Sequence, residues 1–89
     1  MGRRRQFWLL LMRPGPKAVR LRDLLGLAWF CGFKRHDGGS DLLLTHPALP
    51  YPLMLGAVSD AAVVRPHEVE RFVEAVDRLL ADGFIRQFP

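Results

Sequence analysis

Gly38-Gly39-Ser40-Asp41-Leu42-Leu43-Leu44-Thr45-His46-Pro47 is the stretch on which the reading of the fold turns. Glycine adopts positive backbone angles at little cost, so Asp37-Gly38-Gly39 reads as a tight hairpin turn. Before it, Phe33 to His36 reads as a short first strand. After it, Leu42 to Thr45 is too uniformly apolar for an exposed edge and reads as a buried strand. Asp41 then stands where the turn delivers a polar side chain to the start of that strand.

Outward from the hairpin, His46-Pro47-Ala48-Leu49-Pro50 is a loop, and Leu53 to Val58 reads as a third strand with Gly56 marking a bend or bulge. Upstream, Leu21, Leu24, Leu25 and Ala28 recur at helical spacing, which predicts a helix over about 19 to 31, with Gly32 placed to end it in a left-handed cap. Downstream, Val69, Phe72, Val73, Val76, Leu79 and Leu80 fall on one helical face. Pro66 suits the first turn of that helix, Glu68 and Glu70 suit the positive end of its dipole, and Gly83 suits its end. Glu74 and Arg78 are spaced for an i, i+4 ion pair. The order is therefore α-β-β-β-α, an α+β fold with a three-stranded antiparallel sheet and two helices on one face.

The chain has 89 residues, which allows one small domain, and its composition, 49% hydrophobic and 25% charged, is that of a globular protein and not of a disordered one. Thirteen Lys and Arg against nine Asp and Glu give a net charge of +4, with an isoelectric point near 10.2. That balance favours polyanionic partners. Seven of the basic residues fall in the first 22 positions, which hold no Asp or Glu. Arg3-Arg4-Arg5 followed by Phe7 to Met12 imitates a signal peptide, but Arg13 cuts the apolar run short, and no run is long enough to span a membrane. Pro14-Gly15-Pro16 breaks regular structure, so residues 1–17 read as a flexible basic and apolar arm, 18–85 as the domain and 86–89 as a tail. A lone cysteine, Cys31, forms no internal disulfide, and the cytoplasm is the expected compartment.

From about Leu21 to Gly83 the chain resembles the HicA toxins of HicA/HicB toxin-antitoxin systems. The residues that carry the resemblance are the Leu-rich helix closing at Gly32-Phe33, the short basic strand, the Gly39-Ser40 turn, the apolar strand ending Thr45-His46-Pro47, and the last helix introduced by Val64-Arg65-Pro66. The resemblance implies a fold like the double-stranded RNA-binding domain, cleavage of messenger RNA without a metal or other cofactor, and a HicB-like antitoxin as partner. In the family the turn runs Gly-Ser-His or Gly-Gly-His, and the histidine is the acid or base in attack of a ribose 2'-hydroxyl on the neighbouring phosphate.

Asp41 occupies that histidine's place here. Imidazoles ordinarily titrate at about 6.5 and carboxyls at about 4, so an aspartate is the weaker base near neutral pH and its charge opposes the phosphate. Three accounts of Asp41 stand side by side: a carboxylate that caps the turn, a degenerate toxin that binds RNA without cutting it, or a nuclease whose base has moved, with His36 the nearest candidate. RNA contacts are expected from Lys34, Arg35, Gly39, Ser40, Arg20, Arg22 and Arg65, because duplex RNA is read mainly through phosphates, 2'-hydroxyls and shape.

The remaining candidates point to structure. His46 precedes a proline and ends its strand, His67 falls in the first turn of the last helix, and the spacing of Cys31, His36, His46 and His67 matches no standard zinc site. Cys31 reads as a buried filler. A second class of function, a protein-interaction module of the same fold that does not touch RNA, would use Trp29, Phe30 and the apolar segment Phe7 to Met12.

Overall fold

The computed structural model describes residues 3–13, 15, 18–38, 41–56 and 61–85. Among them the elements run α1 (Arg3–Met12), β1 (Val19–Arg20), α2 (Leu21–Phe30), β2 (Lys34–Gly38), β3 (Asp41–Thr45), β4 (Leu53–Leu55), β5 (Val63–Val64) and α3 (Pro66–Ala81). β2 and β3 form the predicted hairpin in antiparallel register, Lys34 opposite Thr45 and Gly38 opposite Asp41. β4 joins the other side of β3, with Leu42 opposite Leu55 and Leu44 opposite Leu53. The order β2-β3-β4 puts the most apolar strand in the centre, as its composition predicts.

Alternation along β3 divides the sheet into two faces. Leu42 and Leu44 are buried, Asp41 is exposed, and Leu43 and Thr45 are half-buried. The buried pair meets Leu24 and Leu27 of α2 and Phe72, Val76 and Leu79 of α3 in one core, so both helices cover the same face. The fold is thus α+β, with the expected antiparallel sheet of three strands under those two helices.

Both helix ends obey the glycine rule. Gly32 (φ +93) and Gly83 (φ +80) adopt backbone angles that a side chain disfavours. Each gives a Schellman ending: Phe33 N–H bonds Ala28 O at 3.0 Å and Gly32 N–H bonds Trp29 O at 3.1 Å, while Phe84 N–H bonds Leu79 O at 2.9 Å and Gly83 N–H bonds Leu80 O at 3.2 Å. Phe33, read as strand, is instead the buried residue after the cap, and packs against Phe72 with ring centroids 5.7 Å apart.

Four further readings need correction. Residues 3–12, read as part of a flexible arm, form a helix that packs on α3, with Trp8 and Leu11 buried in the core. These two side chains share a face at i, i+3, and the Val69–Val73 side of α3 offers apolar surface to that face. A groove of about 310 Å³, lined in part by Leu11, Val69 and Val73, marks the junction. Second, Val19 and Arg20, read as helix, pair with Val64 and Val63 in a separate two-stranded ribbon, and Val19 and Val64 are fully buried. Third, Arg78 pairs with Asp82 at 3.9 Å and not with Glu74, on a helix surface exposed enough for either neighbour to be reached. The third strand, read as reaching Val58, ends at Leu55, and residues 57–60 and the tail 86–89 lie outside the described residues.

Candidate nucleic-acid interface

Period two along the hairpin sorts the candidate residues. Residues directly opposite in an antiparallel pair share a face, so Lys34, His36, Asp41, Leu43, Thr45 and Met54 stand on the face away from the helices. Arg35 and Asp37 stand on the other face, at the edge of the sheet, where they form an ion pair at 3.1 Å. Lys34 and Arg35, neighbours in sequence and expected to act together, therefore point to opposite sides. The turn residues Gly39 and Ser40, expected to touch RNA, lie outside the described residues, and so does any cap that Asp41 makes with them.

Asp41 is exposed at the hairpin end of the open face. His36, the candidate substitute base, is one cross-strand step away, a diagonal separation of about 7–8 Å. Its Nε2 lies 2.9 Å from Thr45 Oγ1, so its bond runs away from Asp41 and toward the far end of the hairpin. Thr45, which the sequence reading did not offer as a candidate, is the side chain that His36 meets. Its only signal is the register, which puts Thr45 opposite Lys34 and thus diagonal to His36.

The other cations gather through the ribbon. Continuing the β3–β4 register one residue beyond Leu42 and Leu55 sets Gly56 beside Asp41. A Cβ on Gly56 would stand 3.7 Å from Arg65 Cζ, which locates the Arg65 guanidinium at the Asp41 end of the sheet. Arg20 lies opposite Val63, and both are exposed, as is Arg65 two residues further on; all three occupy the wet side of the ribbon. Arg22 is exposed on the first turn of α2. Arg65 thus stands at the Asp41 end of the sheet, with Arg20 on the ribbon diagonal to it, while Lys34 marks the opposite end of the hairpin.

His46 is structural, as its place before Pro47 suggested. Ala48 N–H donates to its Nδ1 at 3.0 Å, which leaves Nε2 to carry the proton and donate to Cys31 O at 3.1 Å. The ring also meets Phe33 edge-on at 5.2 Å. The imidazole pins the end of α2 to the end of β3. Burial pushes the Cys31 thiol up to about 11, so at neutral pH it is a protonated, weakly nucleophilic group. Among the described residues no three His, Cys, Asp or Glu side chains converge as metal ligands do.

No protein-family model, curated protein or solved structure matches this chain. The functional reading accordingly rests on the residues themselves. Among the described residues no helix is long and apolar enough to cross a membrane.

Proposed function

We propose that this chain is an RNA-binding domain of the HicA-toxin kind whose ribonuclease chemistry is impaired by Asp41. The observation that carries the reading is the exposure of Asp41 on the helix-free sheet face, at the sheet end that Arg65 reaches beside Gly56. Cleavage of the expected type forms a bond from the 2'-oxygen to phosphorus and breaks the bond to the 5'-oxygen. A base must take the 2'-hydroxyl proton and an acid must supply one to the leaving oxygen. An imidazole does both near neutral pH, whereas a carboxylate beside a phosphate is a poor base and a poorer acid. Phosphate binding by the arginines needs neither step. The partners on this reading are messenger RNA and a HicB-like antitoxin, in the cytoplasm, with no cofactor.

The test is Asp41→His on a fluorescent single-stranded RNA. The native chain is expected to bind the RNA at low salt without cutting it, and Asp41→His to cut it. A folded, RNA-binding Asp41→His protein that leaves the RNA whole would remove Asp41 as the lesion, and a native chain that ignores RNA at low salt would remove the binding reading.

A second reading, the non-catalytic protein-interaction module, is favoured by one observation. Trp29 is 77% exposed on α2 with Phe30 beside it, a large apolar surface that phosphate binding does not use. RNA binding that weakens steeply with salt separates the two.

A further inference from the structure

α1 is held to the core by one side, and its other side mixes apolar and cationic residues. Trp8 and Leu11 are buried, whereas Leu9, Leu10 and Met12 are 48%, 41% and 47% exposed. Arg5, Gln6 and Arg13 are exposed with them. Arg13 follows the last turn directly, its N–H bonding Leu10 O at 3.2 Å. Neighbours on a helix surface lie three and four residues apart, so Leu9 falls in one row between Arg5 and Arg13, Leu10 adjoins Gln6 and Arg13, and Met12 adjoins Leu9. The outward face is thus an apolar patch set between arginines. It holds no carboxylate, and the first 22 residues, with seven Lys and Arg, hold none either. Among the described residues neither Arg5 nor Arg13 is engaged in an ion pair.

We infer that α1 docks on an anionic phospholipid surface, lying along it with Leu9, Leu10 and Met12 entering the acyl boundary and Arg5 and Arg13 reaching the headgroup phosphates. Ten residues rise about 15 Å, half of the roughly 30 Å hydrocarbon layer, so the helix lies on the bilayer and does not cross it. An arginine carries its charge at the end of an apolar stem, which lets leucine and guanidinium leave one helix face and end at different depths. That mixture selects the occupant. A phosphate backbone such as that of RNA pairs with the arginines and leaves the leucines in water. An apolar groove on a protein buries the arginines beside the leucines and strips their charge of water. A lipid interface offers acyl chains and anionic headgroups side by side.

The magnitude fixes how the binding is to be sought. Three half-exposed apolar side chains give little hold by themselves, and attachment to a bilayer takes a second signal, here the basic residues. Binding is therefore reversible, depends on lipid charge and weakens with salt. It does not draw on the proposed function, because Arg20, Asp41 and Arg65 lie outside α1.

The experiment is flotation of the full chain, without RNA, with vesicles of phosphatidylcholine containing about one third phosphatidylserine and with vesicles of phosphatidylcholine alone. The native chain is expected to float with the first at low salt and to stay behind with the second. Leu9→Gln, Leu10→Gln and Met12→Gln made together weaken binding by about tenfold or more, the loss of three inserted side chains. Arg5→Gln and Arg13→Gln each weaken it by about fivefold, the share of one basic residue near such a surface. All five positions are exposed, so the urea midpoints stay close to native. Arg71→Gln, which removes an equal charge from the exposed side of α3, weakens binding less. A native chain that floats with neither vesicle overturns the inference. So does a triple glutamine variant that floats as well as the native chain, since the arginines then hold any polyanion, or equal flotation with both vesicles, since the arginines then contribute nothing.

Discussion

The carboxylate of Glu68 joins Gly56 to the start of α3: its Oε2 accepts the Gly56 N–H at 2.7 Å while its Oε1 accepts the Arg65 N–H at 3.2 Å. Glu68 is 5% exposed and is the buried charged residue among those described. Its charge lies at the positive end of the α3 dipole, and it satisfies one N–H at the helix start and one at the end of β4. The same residue therefore fixes the sheet end that carries Asp41 relative to the segment that carries Arg65.

Glu68→Gln keeps the size and removes the charge. The amide has one acceptor oxygen for two N–H groups, so one part-buried donor loses its charged partner, at a cost of about 1–3 kcal/mol. The urea midpoint should fall with an unchanged slope. Glu70, exposed two residues on, gives a substitution of the same type that stays within about 0.5 kcal/mol.

Trp8→Ala tests whether α1 belongs to the folded unit. Trp8 is 8% exposed, so its truncation should cost about 3–5 kcal/mol, a large share of the roughly 5–15 kcal/mol that holds a small domain together. Met12→Ala, on the exposed side of α1, should stay within about 0.5 kcal/mol. Equal and negligible effects of the two would mean that the segment is a loose arm after all.

That contrast shows why some elements were legible in the sequence and others were not. α3 declares itself because six apolar residues hold one face over three turns, and Gly32 and Gly83 because only glycine is at ease with their backbone angles. α1 has a single buried pair, Trp8 and Leu11, among apolar Leu9, Leu10 and Met12 that stay exposed, so no stripe separates its faces. The β1–β5 ribbon pairs two residues with two, too few to show any period. At the site, the opposite facing of Lys34 and Arg35 follows from strand alternation alone. The meeting of His36 with Thr45 and of Arg65 with Gly56 depends on register and on the path of the chain between elements, which composition does not encode.

The Cys31 thiol supplies a pH dependence with a definite sign. Burial raises it from 9.0 to about 11 in the folded chain, so the folded state holds the proton more tightly than the unfolded one. Its contribution to stability is whole below pH 9 and is lost as pH rises through 11. The difference in unfolding free energy between the native chain and Cys31→Ala should be flat below pH 9 and should shift against the native chain above it. At pH 7.5 the native thiol should react with iodoacetamide far more slowly than in urea.

The cationic surface is tested by the salt dependence of RNA affinity, in which each phosphate contact contributes a slope of about 0.7 on logarithmic axes for a single strand. Arg65→Ala should leave the fold intact, because Glu68 holds the backbone N–H of residue 65 and not its guanidinium. Arg20 is exposed on the ribbon and equally dispensable to the core. Replacing both should flatten the slope by about 1.4, two contacts at that value. Arg35→Ala should change it little, since Arg35 lies on the other face of the sheet and is tied to Asp37 at 3.1 Å. If Arg35 carries the slope and Arg20 with Arg65 does not, RNA lies across the β2 edge and the end of the molecule around Asp41 is not its site.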